Sequence, residues 1–469
     1  MQSSQRKLAG KRVLVVGLGR SGIAAARLCA GKGARVTVND AKPAAALESE
    51  LALLPPSMQR ELGGHPAALF EGQDMIVVSP GVPPLPPIAA AAQRGALVTG
   101  EIELASWFIE STMVGITGTN GKSTTTTLCG AILGANGRPT FVGGNLGTPL
   151  AEAVGTPAGR EGGTAVVEVS SFQLETVRTF RPQVAVLLNI TPDHFDRYPD
   201  LDSYIDAKQR IFAAQTASDF AVINIDDPNV ETAARKIHSR CVLISTHQAL
   251  AVGGWVDGDS LCVRLPGGPV EYYPAQLPGL VGRHNQENAL AALVAARLLG
   301  ALPSEARSAL VAFRPLPHRM ELVGDFNDIE FYDDSKGTNV GAVVAALDGF
   351  PRKVVLIAGG KHKGGSYAPL AEIMKRQGRA AVLIGEAASQ IRQALEGVVP
   401  VEMAADMDEA VQLAAGMAES GDAVVLSPAC SSFDMYRDYA HRAEVFRIAV
   451  QTLITSTSDK IRVDTEIDE

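Results

Sequence analysis

The run Gly115-Ile116-Thr117-Gly118-Thr119-Asn120-Gly121-Lys122-Ser123-Thr124 follows an apolar segment and opens a helical one. It constrains the fold more than any other stretch, because a strand that turns through glycines into a helix is a building unit of a parallel α/β sheet. The same turn is a phosphate cradle. Backbone N–H groups freed by Gly118 and Gly121 turn toward phosphate oxygens, and the helix starting at Lys122 adds the positive end of its dipole. Lys122 would then reach the outer phosphates and Ser123 would ligate Mg²⁺, so the stretch points to ATP or GTP. The strict spacing asks for glycine at 116, where Ile116 stands. The loop is therefore a variant of the common GTPase or kinase form, and a chance loop is the alternative.

Similar units flank it. Arg12 to Val16 is β-branched and leads into Gly17-Leu18-Gly19-Arg20-Ser21-Gly22, an Ala-rich helix to Ala30, and a second strand from Ala34 that ends at Asp40, 18 residues beyond Gly22. That order is a Rossmann-type opening for a diphosphate-containing nucleotide; a tight turn without ligand is the plainer reading. Met75 to Val78 runs into Ser79-Pro80-Gly81-Val82-Pro83. Further apolar strands at Thr164 to Val169, Val184 to Ile190 and Phe220 to Ile225 alternate with helical segments. A helix from Arg283 to Leu299 precedes Pro315-Leu316-Pro317, which reads as a linker. Beyond it stand two strands around Asn327-Asp328, then Val354 to Ala358, Ala381 to Ile384 and Ala423 to Leu426. The expected fold is α/β in three domains: a Rossmann-like domain over 1–100, a central phosphate-loop domain with a mostly parallel sheet over 101–314, and a Rossmann-like α/β domain over 315–469 with a frayed tail after about 455.

Composition narrows the function. A formal charge of −9 argues against a general nucleic-acid or membrane surface, so anionic phosphates must be met by local Lys, Arg and N–H groups. The five cysteines are scattered without metal-ligand spacing and fit free thiols in a reducing cytoplasm. Met1 to Lys11 lacks a signal-peptide core, and no run of about 18 apolar residues occurs, so a cytoplasmic location without membrane insertion is expected.

Several constellations sit where strands end. Glu168 places a carboxylate near the phosphate loop, suited to a metal or water contact. Thr191 to Tyr198 offers His194 among carboxylates, as a metal ligand, a partner for phosphate, or a plain surface histidine. Lys208 lies on a helix after Tyr204 and by default is a solvated charge. Asp333-Asp334-Ser335-Lys336-Gly337-Thr338-Asn339 suits a nucleotide or simply caps a helix. Gly359-Gly360-Lys361-His362-Lys363-Gly364-Gly365 is a flexible cationic loop inviting an anion, or a solvated one. Ser427 to Asp434 is expected to open a helix whose N–H groups receive a carboxylate, with capping by Ser431 or Ser432 as the alternative.

Together, Thr117 to Thr124, Asp193 to Tyr198, His284-Asn285 with Asn288, His318-Arg319, Asp334 to Asn339 and Ser427 to Asp434 resemble the Mur ligase family, in an order that spans nearly the whole chain. The Gly17 to Gly22 turn, Ser79-Pro80-Gly81-Val82 and Ser427 to Ser432 are similar to the branch that adds D-glutamate to UDP-N-acetylmuramoyl-L-alanine. The resemblance implies an ATP-dependent ligase of peptidoglycan precursor synthesis. ATP phosphorylates the substrate carboxylate, the D-glutamate amine attacks the acyl phosphate, and the third domain closes over the second.

It also implies residue roles. Gly118, Thr119, Asn120, Gly121, Lys122, Ser123 and Thr124 would hold the ATP phosphates, with Asn285, Asn288, Arg319 and Asp334 in the nucleotide pocket. Ser123 and Glu168 would serve one Mg²⁺, and His194 with a carbamylated Lys208 a second; Lys122, Glu168, His194 and Lys208 form the catalytic group. Ser21 and Asp40 match the UDP site, Asn145 the muramoyl contact, and Lys336, Lys363, Ser432 and Phe433 the substrate and D-glutamate contacts. Arg20 and Ala41 depart from the family pattern around the uracil. A monomer acting on these small molecules, without nucleic acid or membrane partners, is expected. The rivals are a sibling ligase or a folylpolyglutamate synthetase-like enzyme, an NAD-dependent dehydrogenase built on Gly17 to Gly22 and Asp40, and a silent nucleotide-binding scaffold.

Overall fold

Among the described residues, twenty strands sort into three sheets, each built around short β-branched runs that are buried on both faces. The computed structural model describes residues 7–467 except 136, 236, 278, 279, 281 and 315, with side chains up to 456. Residues 1–6 of the polar N-terminus, and Pro315 of the expected linker, lie outside the described residues.

The first sheet contains β1 (Arg12–Val16), β2 (Arg35–Asp40), β3 (Gln59–Leu62), β4 (Met75–Val78) and β5 (Leu97–Thr99), in the order β3-β2-β1-β4-β5 and parallel throughout. Val13 and Val15 pack into one apolar cluster and Leu14 and Val16 into another, so β1 is a central strand with core on either side. The connections run in opposite directions from β1, which opens a crevice beyond its C-terminal end.

The second sheet contains β6 (Thr112–Thr117), β7 (Thr140–Gly144), β8 (Thr164–Glu168), β9 (Val184–Leu187), β10 (Phe220–Asn224), β11 (Arg240–Ser245), β12 (Gly253–Asp257), β13 (Ser260–Arg264) and β14 (Val270–Pro274). Its order is β14-β13-β12-β11-β10-β9-β6-β8-β7. Strands β6 to β12 pair in parallel, whereas β12, β13 and β14 form an antiparallel meander at one edge. That meander is a feature the alternating pattern does not announce. Its first turn is Gly258-Asp259 with Gly258 at φ 53, a glycine-first hairpin connection.

The third sheet contains β15 (Glu321–Phe326), β16 (Ile329–Asp333), β17 (Val354–Gly359), β18 (Gly378–Ile384), β19 (Val401–Met403) and β20 (Ala423–Leu426), in the order β15-β16-β20-β17-β18-β19. Only the β15–β16 hairpin is antiparallel, and its turn residues Asn327 and Asp328 take φ 52 and 60, as a two-residue hairpin with left-handed residues requires.

By contacts the chain divides into two units. One comprises Met1–Ile190, Asp202–Gln276 and Glu287–Phe313, and holds the first two sheets; the other comprises Thr191–Leu201, Leu277–Gln286 and Arg314–Glu469, and holds the third. Two local expectations change. No helix opens at Ser431 or Ser432: residues 431–438 form a bridge and turns, and the helix begins at Tyr439. That helix continues in backbone to Ile467, where a frayed tail after about 455 was expected; side chains beyond 456 lie outside the described residues.

Candidate active site

In the first unit, β6 ends at Thr117 and the helix Lys122–Gly134 begins after Gly121, so residues 118–121 form the phosphate loop. Its two glycines are needed for different reasons. Gly118 has φ 155, and a Cβ there would sit 3.0 Å from Leu188 Cβ; Gly121 has φ 83, and a Cβ there would lie 2.1 Å from Asn288 Oδ1. Asn288 thus abuts the loop, and its Oδ1 also accepts from Thr125 Oγ1 at 3.2 Å. Asn189, which sequence reasoning missed, fastens the loop from just beyond the end of β9, the strand paired with β6: Asn120 N–H donates to its Oδ1 at 2.8 Å, and its Nδ2 returns a bond to Asn120 O at 3.2 Å. Lys122 Nζ folds back onto Gly118 O and Thr119 O at 2.9 and 2.7 Å. Ser123 and Thr124 are buried in the first helical turn.

Glu168 ends β8 beside β6, paired with Ile116, which brings its carboxylate to the strand edge that feeds the loop. Oε1 accepts from Asn145 Nδ2 at 2.7 Å, while Oε2 is buried with no hydrogen-bond partner among the described residues. An unpaired buried carboxylate oxygen is costly without a cation or donor. It and the Ser123 hydroxyl are hard oxygen donors of the kind that would suit Mg²⁺. Asn145 is fixed by its own N–H donating to Glu168 O at 2.8 Å.

Lys208 departs from the default of a solvated lysine. It is 1% exposed, Nζ donates to Gly118 O at 2.7 Å, and the amine lies 4.4 Å from the centre of the Tyr204 ring. Tyr204 OH in turn lies 3.3 Å from Thr119 Oγ1, so helix Leu201–Gln209 places both groups against the loop.

The Gly17 to Gly22 turn has the expected strand-turn-helix form. Gly17 has φ 88, and a Cβ on Gly22 would lie 1.8 Å from Gly17 O, so the turn admits no side chain there. Asp40 closes it: Oδ2 accepts from Leu18 N–H at 2.7 Å and Oδ1 from Lys42 N–H at 2.9 Å. Ser79 Oγ donates to Gly17 O at 2.7 Å, which gives the Ser79 to Val82 segment a function in the turn. Ser21 is half-buried in the first turn of helix Arg20–Gly31. Arg20 reaches Gly147 O at 3.3 Å, and so lies against the loop that follows Asn145.

The second unit collects the remaining residues in two groups. Arg319, His284 and Asp334 form the first. Burial, followed by the Arg319 charge, holds the His284 imidazole neutral with its pKa down at about 4. Burial pushes the Asp334 carboxyl up to about 7, against the opposing pull of the Ser427 hydroxyl, which donates to it at 2.6 Å, and of Arg319. Asn285 sits in the first turn of helix Arg283–Leu298.

Asp193 organises the second group. Its Oδ2 accepts from Asn339 Nδ2 at 3.0 Å and lies 3.6 Å from His194 Nε2; Lys363 Nζ approaches Oδ1 at 3.5 Å. His194 itself takes φ 58. Asn339 also caps helix Val340–Leu347 through Ala342 N–H, so the capping reading of that segment holds. Lys336 Nζ lies 5.1 Å from the centre of the Tyr439 ring; Ser432 is buried and Phe433 is 70% exposed.

Arg442, which sequence reasoning missed, is wholly buried and donates to Ser335 O, Ser335 Oγ and Cys430 O, tying together the turns after β16 and β20. A single arginine in a helical run carries no signal that would have marked it.

The chain is similar to known proteins along most of its length. It matches the family descriptions "Mur ligase MurD-like, N-terminal domain" over residues 11–100, "Mur ligase middle domain" over 116–296 and "Mur ligase, glutamate ligase domain" over 318–430. A UDP-N-acetylmuramoylalanine–D-glutamate ligase of Geobacter metallireducens is 49% identical, over 96% of this chain and 99% of its own. One from Geotalea daltonii is 48% identical, over 95% and 98%. Among solved structures, a pseudomurein peptide ligase type C from Methanothermus fervidus shares the fold with a TM-score of 0.61 at 19% identity, over 95% of this chain and 100% of its own. The MurF ligase from Thermotoga maritima in complex with ADP shares it at 0.58 and 16% identity, over 97% of each.

Proposed function

The chain belongs to the Mur ligase family, and from that premise we propose that it joins D-glutamate to UDP-N-acetylmuramoyl-L-alanine at the expense of ATP, as a cytoplasmic monomer supplying peptidoglycan precursors. The supporting observation is near-complete coverage, at 48–49% identity, by ligases of that named activity.

The chemistry explains the parts. A carboxylate is a poor acyl donor, because its charge repels a nucleophile and oxide is a poor leaving group. Transfer of the γ-phosphoryl group gives an acyl phosphate and ADP; the amine then forms the amide, and inorganic phosphate carries away both electrons of the broken bond.

Residues 118–124 hold the nucleotide phosphates with backbone N–H groups, and Lys122 leaves the Gly118 and Thr119 carbonyls to meet the outer phosphate oxygens. Preorganised charge of this kind is worth most where charge develops in transfer. Asn285, Asn288, Arg319 and Asp334 line the rest of the nucleotide site. Ser123 and Glu168 would hold one Mg²⁺, and His194 and Lys208 would serve a second; bound there, the metal would supply charge neutralisation at the phosphates. The orphaned Glu168 Oε2 supports the first assignment. Lys208, buried beside the loop, acts as a carbamate, which turns a cationic side chain into an oxygen ligand.

The Gly17 to Gly22 turn with Ser21 and Asp40 receives the UDP group. Asn145, held against Glu168, meets the muramoyl substrate. Lys363, Ser432 and Phe433 serve the incoming amino acid, with Lys363 pairing the D-glutamate side-chain carboxylate, and Lys336 is a further substrate contact. Domain limits of 1–100, 101–314 and 315–469 belong to the same reading, and the division of the strands into three sheets supports it.

A phosphate-release assay with UDP-N-acetylmuramoyl-L-alanine and a panel of amino acids tests the substrate choice. Turnover with D-glutamate alone is expected. Turnover with L-alanine or a diamino acid instead would make this a sibling ligase.

A further inference from the structure

The loop that carries Lys363 splits into two halves that are held in different ways. The first half is stitched by backbone: Lys361 and Ser431 exchange N–H···O bonds at 2.9 and 3.2 Å, Gly359 N–H donates to Pro428 O, and Ala387 N–H donates to Gly360 O. No side chain is tolerated at position 360, since a Cβ on Gly360 would lie 2.3 Å from Ser431 O. The loop expected to be flexible is therefore rigid up to residue 361. Beyond it, Lys363 is followed by Gly364, with φ 80, and Gly365.

His362 stands at the join. Its Nδ1 lies 2.8 Å from Tyr367 OH, and the two rings are 5.4 Å apart. Tyr367 directly precedes helix Ala368–Gln377, and its ring is buried in the core of the third sheet. The Tyr367 hydroxyl lies 3.2 Å from the sulfur of Cys430, which is itself fully buried. One hydroxyl, with a single proton and two lone pairs, thus serves both neighbours. The imidazole–phenol–thiol line closes residues 362–367 into a ring anchored to a helix start and to the segment after β20.

Among the described residues, nothing comparable holds the lysine tip. Lys363 Nζ reaches Asp193 Oδ1 at 3.5 Å and Thr338 Oγ1 at 3.4 Å, both long for hydrogen bonds, so its ammonium keeps donor capacity for an incoming anion. A long side chain with a loosely held tip gains affinity when the backbone that carries it is fixed beforehand.

We infer that His362 and Tyr367 are positioning residues for the amino-acid substrate: through their mutual hydrogen bond they fix the backbone at residue 363 so that Lys363 meets the substrate's side-chain carboxylate. This rests on the reading that Lys363 belongs to the amino-acid site. Neither residue touches a reacting group in this scheme. Their loss is felt as weaker binding of one substrate out of three.

The test is steady-state kinetics of the full-length enzyme with D-glutamate, ATP and UDP-N-acetylmuramoyl-L-alanine varied in turn, alongside thermal unfolding. Tyr367→Phe keeps the buried ring and removes only the hydroxyl; His362→Ala removes the other partner, and His362→Asn restores a polar atom near the Nδ1 position. Tyr367→Phe and His362→Ala are each expected to raise KM for D-glutamate about fivefold, the worth of one hydrogen bond, with kcat and the other two KM values little changed. His362→Asn recovers part of the loss, and the double variant is no worse than either single one. Unchanged KM for D-glutamate in both single variants, with Lys363→Ala raising it, overturns the inference alone. A parallel rise of all three KM values with a lowered Tm also overturns it, as the signature of general destabilisation. If Lys363→Ala itself leaves KM for D-glutamate unchanged, the assignment of Lys363 falls, and the inference with it.

Discussion

Gly121→Ala is the sharpest probe of the phosphate loop. At φ 83 an alanine carries a backbone penalty of roughly 1–2 kcal/mol. Its Cβ would stand 2.1 Å from Asn288 Oδ1, which must move away and give up the 3.2 Å bond from Thr125, a further loss of about 1 kcal/mol. The strain is relieved only if the loop leaves its present shape, and a nucleotide must then restore that shape on binding. The sum, about 2–3 kcal/mol, corresponds to a fall of roughly 30- to 150-fold in kcat/KM for ATP. A coupled assay of ADP formation reads this directly. Asn288→Ala in the same background removes the obstructing oxygen, so the double variant should lose about 1 kcal/mol less than the two single losses added together. Strict additivity would show that Asn288 is not what excludes a side chain at 121. Wild-type kinetics for Gly121→Ala would refute the loop's role altogether.

Three further outcomes follow from the same geometry. Glu168→Gln keeps the contact with Asn145 but loses the charge on the orphaned oxygen, so kcat should fall by about 10²–10³ and the Mg²⁺ concentration for half-maximal ADP formation should rise; an unaltered Mg²⁺ titration would remove Glu168 from the metal site. Lys208→Ala should be nearly inactive and partly rescued by short-chain carboxylic acids, whose oxygens replace those of the carbamate; rescue by amines instead would argue for an ammonium at that place. Glu101, 2% exposed, accepts from Ala151 N–H at 2.6 Å, and burial raises its carboxyl from 4.5 to about 7. The folded state then holds a proton that the unfolded state releases, so this stabilisation is complete below about pH 4.5 and is lost as pH rises to about 7. Glu101→Gln should flatten that part of the decline in Tm, and an unchanged Tm–pH curve would contradict it.

The sequence revealed those elements whose chemistry is local. The phosphate loop, the Gly17 to Gly22 turn and the Asn327-Asp328 hairpin each depend on glycines, or on Asn and Asp, at fixed offsets, and the structure places all three where the residues indicated. What stayed hidden depends on partners distant in the chain. Burial of Lys208 against Gly118 spans 90 positions, and Arg442 meets Ser335 across 107. A helix was expected at Ser431 because hydroxyls after a strand resemble caps; residues 359–361 capture that segment as a bridge, and the helix starts only at Tyr439. The β12 to β14 meander escaped notice because the middle of the chain otherwise alternates strands with helices.

The central claim is that a nucleotide seated on residues 117–124 passes its terminal phosphoryl group to a substrate carboxylate, which an amine then captures. Isotope transfer tests it most directly. With ¹⁸O in the carboxylate of UDP-N-acetylmuramoyl-L-alanine, together with ATP, Mg²⁺ and D-glutamate, the reaction should place one labelled oxygen in each inorganic phosphate released, with ADP as the other product. Label appearing in AMP, or phosphate released without label while the amide forms, would contradict it.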